Sequence, residues 1–188
     1  VWYVYLIVQP YFATHGNLSA HRTNGMIGLF LAGGVCMTAL AMMHRDIVSA
    51  ELSAEMPEQF GPFQPWFFYG VIVLEIVMML AFAYAVLMSI FRRKELDNHA
   101  WWMISTVFII MMPAVGRGVG NVFIAAYADS WPDVPMMPQI YVSEVIIIML
   151  IFWAAWKFRM LKHQATWLAV GVNVFNLFVE PIGRSPAI

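Results

Sequence analysis

The chain has 188 residues, of which 62% are hydrophobic and 11% charged, with a net charge of −1. Soluble domains carry about 25% charged residues, so this chain has too few to cover its own surface, and lipid must solvate much of it. The near-zero net charge argues against a nucleic-acid partner, because phosphate recognition needs clustered positive charge. A lone Cys36 excludes an intrachain disulfide and any CxxC metal or redox motif.

A helix needs about 20 mostly apolar residues to cross the hydrocarbon core. Residues 1–13 read as the end of a first membrane helix and lack the basic leader of a signal peptide. Residues 25–43, 65–91, 99–128 and 139–156 each satisfy the length criterion. Residues 166–179 form a shorter segment, apolar apart from Asn173 and Asn176, which with Glu180 share one face as interhelical hydrogen-bonding groups. The expectation is an all-α polytopic transmembrane helix bundle of six spans, four of them meeting the length criterion, in a single transmembrane domain covering 1–188.

The connections alternate in charge. Segments 14–24, 92–98 and 157–165 carry Arg22, Arg92, Arg93, Lys94, Lys157, Arg159 and Lys162. Segments 44–64 and 129–138 carry Asp46, Glu51, Glu55, Glu58, Asp129 and Asp133, with Arg45 as their base. Short loops rich in Lys and Arg stay in the cytoplasm. The basic loops are therefore expected on the cytoplasmic side of a bacterial inner membrane, and the acidic loops outside. The acidic loops hold Pro57, Pro62, Pro65, Pro132, Pro135 and Pro138 with Phe60, Phe63, Trp66 and Trp131. They are expected to lie along the outer interface, against lipid headgroups or neighbouring membrane subunits.

Four of the five histidines, His15, His21, His99 and His163, fall at the basic face. His21 and His99 each stand near the start of a predicted span, so the topology carries both imidazoles to one depth. Two neutral imidazoles on facing helices are a standard way to hold a haem iron. Gly25, Gly28, Ala32, Cys36 and Ala39 recur at helical spacing from His21. Such a stripe reads as a groove for a flat macrocycle or as a helix-packing face.

Arg117 follows His99 by eighteen residues, five turns or about 27 Å along a continuous helix. Met103, Thr106, Ile110 and Pro113 lie on the same face between them. An Arg at membrane depth is expected to face the protein interior with a partner, and Glu144 on the next span is the candidate. Pro113 with Gly116, Gly118 and Gly120 should loosen this span. Glu75 lies about ten residues into its own span with no cation at obvious depth, as a hydrogen-bond donor or a proton relay.

GxSxG, Walker and HExxH motifs are absent, the carboxylates are too scattered for a di-iron cluster, and no Lys lies within a span to form a retinal Schiff base. His21-Arg22-x-x-Gly25, then His99-x-x-Trp102-Met103 with Arg117, resembles the bacterial membrane proteins grouped as domain of unknown function 2306, over roughly residues 9–120. That family often carries basic residues where this chain has Ala100 and Ile104. The resemblance implies a compact multi-helix membrane protein, distantly like haem and cytochrome oxidase assembly proteins and cytochrome b561-type bundles.

Three functions fit these features. The first is an accessory subunit of a respiratory or photosynthetic-type complex, redox-linked through a haem b or quinone held by His21 and His99, with Arg22 or Arg117 pairing its anionic groups. The second is a stand-alone b-type haem carrier. The third is a small proton-coupled transporter built around Glu75, disfavoured because neither a repeat nor paired broken helices are evident in the sequence.

Overall fold

The computed structural model describes residues 1–131 and 134–186, with Leu18 described in its backbone alone. The described residues form α1 (Trp2–Thr14), α2 (Leu18–Glu55), α3 (Pro57–Phe60), α4 (Pro65–Phe91), α5 (Leu96–Ile109), α6 (Met112–Ala126), α7 (Met136–Lys157), α8 (Gln164–Asn176) and α9 (Val179–Gly183). A 3₁₀ turn, Ala128–Ser130, follows α6. The chain is an all-α bundle, and four stretches, Ser19–Glu55, Pro65–Phe91, Leu96–Ala126 and Met136–Lys157, are long and apolar enough to cross a membrane. The acidic and proline positions Asp133 and Pro132 lie outside the described residues.

Helix α2 is longer than hydropathy suggests. Residues 44–55, expected as loop, continue it to a length of 38 residues, about 57 Å at 1.5 Å per residue. Hydropathy marks where lipid begins and ends, whereas the helix stops only where the backbone is stopped. Residues 44–55 contain neither Gly nor Pro. The stop is Met56, whose backbone (φ −130°, ψ 61°) leaves the helical region ahead of Pro57. At the other end Asn17 caps the helix, its side chain accepting from the N–H of Ala20 at 3.1 Å. His21 therefore sits one turn inside the helix and not at its first residue. Met43, Asp46, Ala50 and Ser53, spaced as one helical face, are all buried.

The expected continuous span 99–128 is divided. Helix α5 ends at Ile109 and α6 begins at Met112, with the junction held by a long bond from the N–H of Met111 to the carbonyl of Phe108 at 3.5 Å. Pro113 is the cause: it has no N–H for the carbonyl of Ile109, and its ring crowds the preceding turn. Helix α8 ends at Asn176, and the short α9 follows after a turn.

Helices α5 and α8 lie parallel and in fixed register. His163 Nε2 meets Asn98 Oδ1, the indole N–H of Trp101 donates to Thr166 Oγ1 at 2.9 Å, and the Asn173 amide donates to the carbonyl of Phe108 at 3.3 Å. All three pairs are 65 residues apart. At the same offset the sequence repeats Leu96/Leu161, Ala100/Ala165, Trp102/Trp167 and Val107/Val172. Helices α5 and α8 thus run side by side in the same direction.

At the end opposite the histidines, Trp131 donates to the carbonyl of Glu58 at 3.1 Å and covers Gly61. There α9 packs directly on the start of α4, with Gly183 against the carbonyl of Trp66 and Gly70 against Val179. The proline-rich connections are in this way tied to the bundle end.

Candidate functional site

The structure brings His21 and His99 together. Their ring centres are 6.5 Å apart and their planes stand at 87°. Both are half-buried. The Nδ1–H of His21 donates to the carbonyl of Gln9 on α1 at 3.2 Å, and the Nδ1–H of His99 donates to the carbonyl of Ser89 on α4 at 2.8 Å. A carbonyl can only accept, so each Nδ1 carries the hydrogen and each Nε2 keeps its lone pair. Neither Nε2 has a hydrogen-bond partner among the described residues. Anchoring one ring nitrogen on a backbone carbonyl is the arrangement that orients a histidine ligand toward a metal.

The other two histidines of this face are used differently. His15 stacks on Tyr11 with ring centres 4.0 Å apart and donates to the Tyr11 carbonyl at 2.9 Å. His163 caps α8: its Nδ1 accepts from the N–H of Ala165 at 3.1 Å while Nε2 bonds Asn98. Burial, and after it the nearby Arg92 charge, hold the His163 imidazole below its usual range. Among the described residues no group of three or more His, Cys, Asp or Glu side chains is placed to share one metal ion.

Of the two readings of the small-residue stripe, packing holds at Gly28 and Ala32, whereas the expected partner of Arg117 is not found. The small-residue stripe on α2 is a packing face: Gly28 lies against the Tyr5 ring, and Ala32 is in the core with Trp2. The Tyr5 hydroxyl, donating to the carbonyl of Asn24 at 2.9 Å, closes that surface. Arg117 is exposed and donates only along its own helix, to the carbonyl of Pro113 at 3.2 Å. It makes no ion pair with Glu144, because the break before Pro113 re-aims α6 relative to α5. The same break removes the continuous stripe linking His99 to Arg117. Arg22, also exposed, remains within the first turns of α2 beside His21. Glu180 lies beyond the end of α8, on α9, where it pairs with Arg184 at 2.9 Å.

Glu75, 8% exposed, has company that the sequence did not reveal. Asp46 on α2, 1% exposed, lies within electrostatic reach of it, as do Arg45 and Arg117. Arg45 pairs with its neighbour Asp46 through Nε at 2.9 Å and through Nη2. Asp46 was missed because its segment reads as loop. The available signal was its spacing with Met43 and Ala50, a carboxylate on an otherwise apolar helical face.

Glu144 is fully buried, and neither of its oxygens accepts or donates a hydrogen bond. Asn176 of α8 is its polar neighbour. A shallow cleft of about 540 Å³ at the opposite end of the bundle is lined by Pro57, Glu58, Trp66, Pro138, Glu180 and Arg184, among others. No family model, no curated protein and no solved structure matches the chain.

Proposed function

We propose that this protein is a redox-linked integral membrane subunit that holds a haem- or quinone-class cofactor between His21 and His99. The observation that carries the reading is the His21–His99 pair itself, with ring centres 6.5 Å apart and both Nδ1 atoms bonded to carbonyls. Two nitrogens on opposite sides of one metal are about 4 Å apart, which puts the ring centres roughly 6 Å apart. The ring separation supports a bis-imidazole reading, while the α2 stripe, packed by Tyr5 at Gly28, contributes no cradle for a macrocycle.

A haem bound there would supply one-electron transfer between ferric and ferrous iron. The chain's own part is to fix the imidazole tautomers from α1 and α4 and to exclude competing hydrogen bonds from Nε2. A quinone-class cofactor would instead be held by a hydrogen bond from its hydroxyl to one of these Nε2 lone pairs, and would supply two-electron, two-proton chemistry. Arg22, Arg92, Arg93 and Lys94 gather positive charge near this face, suited to propionates or other anionic groups. By the charge of its loops the site belongs to the cytoplasmic side of a bacterial inner membrane. Large apolar side chains such as Phe30, Trp153 and Trp156 are exposed, available to lipid and to other membrane subunits.

The test is a reduced-minus-oxidised absorption spectrum of the purified chain, with organic extraction for quinone. A Soret and α-band difference lost in His21→Ala and in His99→Ala is expected. A flat spectrum together with an extract free of quinone would sink the proposal.

A further inference from the structure

Helix α6 turns its more polar side outward. Met112 and Val115 pack on the core, and Gly120 is buried against the Gln139 side chain of α7. The positions between them, Ala114, Arg117, Gly118, Asn121, Val122 and Ala125, are all exposed. Spacings of three and four residues put these six on one helical face. Elsewhere on the membrane-compatible helices large apolar side chains are exposed, among them Phe30, Leu80, Met149 and Trp153, as lipid contact favours. The exposed face of α6 instead offers small residues, one amide and one charge. A side chain at Gly118 would meet open space.

Arg117 lies within the depth of the hydrocarbon layer. It stands six residues beyond Met111, the middle of the 31-residue span Leu96–Ala126. At 1.5 Å per residue that is about 9 Å from the centre of a core extending about 15 Å to either side. The side chain does not escape this depth. Its Nη1 donates to the carbonyl of Pro113 at 3.2 Å, one turn nearer the centre. Helical side chains lean toward the N-terminus, which for α6 points away from the nearer membrane face.

A guanidinium stays charged, so it cannot lower its cost by losing a proton. Such a group at membrane depth is held against a partner and not against lipid. Within this chain the compensation is partial. None of the ion pairs among the described residues includes Arg117, and Glu75 of α4 acts on it only from beyond ion-pair distance. Asn121, one turn further along the same face, has no hydrogen-bond partner among the described residues.

We infer that this face of α6 docks a transmembrane helix of a different membrane protein, one that presents an aspartate or glutamate to Arg117. The planar guanidinium fork matches a carboxylate. Asn121 adds a hydrogen-bonding group to the same contact, and Ala114, Gly118 and Ala125 let two backbones approach closely. A second copy of this chain does not fit. Two parallel copies joined symmetrically through this face would set Arg117 against Arg117. Nor does a copy offer an exposed acid at that depth, because Asp46, Glu75 and Glu144 are buried. The inference shares with the proposed function the placement of the chain in a membrane, and takes nothing from the histidine pair.

The probe is a synthetic leucine–alanine transmembrane peptide of about 20 residues with one glutamate at the matching depth; its control has leucine there. Binding to the full chain in lipid bicelles is read by energy transfer from the native tryptophans to a dansyl group on the peptide. The glutamate peptide is expected to bind about tenfold more tightly than the control, the size of one interhelical polar contact. That difference should disappear in Arg117→Leu or, if this variant does not fold, in Arg117→Gln. Gly118→Leu keeps the charge but fills the open space beside it, and should also weaken the glutamate peptide. Equal binding of the two peptides overturns the inference, as does a preference for glutamate that survives loss of Arg117. Self-association of the chain that is lost with Arg117 assigns the face to a second copy and overturns it too. The absorption spectrum that tests the histidine pair is expected to be the same in these variants, so either reading can fail alone.

Discussion

Trp101 donates its indole N–H to the hydroxyl of Thr166 at 2.9 Å, and both side chains are buried to within 2% exposure. The Thr166 hydroxyl in turn donates to the carbonyl of Met160 at 2.7 Å, so one group serves as acceptor and donor between the two hairpins. Thr166→Val keeps the shape and removes both bonds, leaving a buried indole N–H unsatisfied. A loss of about 1–3 kcal/mol is expected, read as a lowered unfolding midpoint by tryptophan fluorescence in detergent. No change in midpoint would show that the bond does not lock α5 to α8.

Glycines separate into those that matter and those that do not. A Cβ at Gly183 would enter the backbone carbonyl of Trp66, which cannot rotate away, whereas one at Gly34 meets open space. Gly183→Ala is expected to destabilise by about 1–3 kcal/mol, the range for overpacking. Gly34→Ala should raise stability by up to about 1 kcal/mol through helix propensity. Equal midpoints for the two variants would contradict the close approach of α9 to α4.

Arg45 and Arg117 make a similar contrast. Asp46 keeps 1% of its side-chain surface exposed and depends on Arg45, which is itself 55% exposed. Arg45→Ala leaves a buried carboxylate unpaired. A loss of about 2 kcal/mol is expected, below the 3–5 kcal/mol of a fully buried pair because Arg45 is half in solvent. Arg117→Ala removes a bond along its own exposed helix face and a weaker charge interaction with Glu75, and should stay within about 0.5 kcal/mol. Urea midpoints of the two variants decide the matter.

His163 sets a pH dependence. Its folded form is held neutral, below the ordinary imidazole range, by burial first and Arg92 second. The unfolded chain then binds the proton more readily, so stability rises with pH across the window from the lowered folded value to about 6.5. Above that window the contribution is complete; it is lost as pH falls through it. Protonation also removes the Nδ1 acceptor that caps α8, an interaction of about 1 kcal/mol. The unfolding midpoint should fall between about pH 7 and 5, and less steeply in His163→Asn, which keeps a capping side chain without a titrating one. A wild-type midpoint flat across that range would refute this.

The histidine pair was legible as a juxtaposition because it follows from topology alone. A span that crosses and returns puts the starts of α2 and α5 on one face. The carbonyl anchors on Gln9 and Ser89 were not legible, since they depend on how deeply α1 and α4 pack beside the pair. The Arg117–Glu144 pairing failed for a related reason. Spacing along one helix predicts a shared face only while the helix is continuous, and Pro113 ends that continuity.

Composition and hydropathy by themselves determined that this chain is an all-α bundle with four long membrane-compatible helices, because too few charges and 20-residue apolar runs leave no other way to satisfy the backbone in lipid. Which polar groups meet inside the bundle was decided only by the tertiary structure. The parallel register of α5 and α8, the burial of Asp46 beside Glu75 and the bare oxygens of Glu144 all arise from contacts between helices distant in sequence. Such contacts depend on rotation and depth, to which hydropathy, a sum along one segment, is blind.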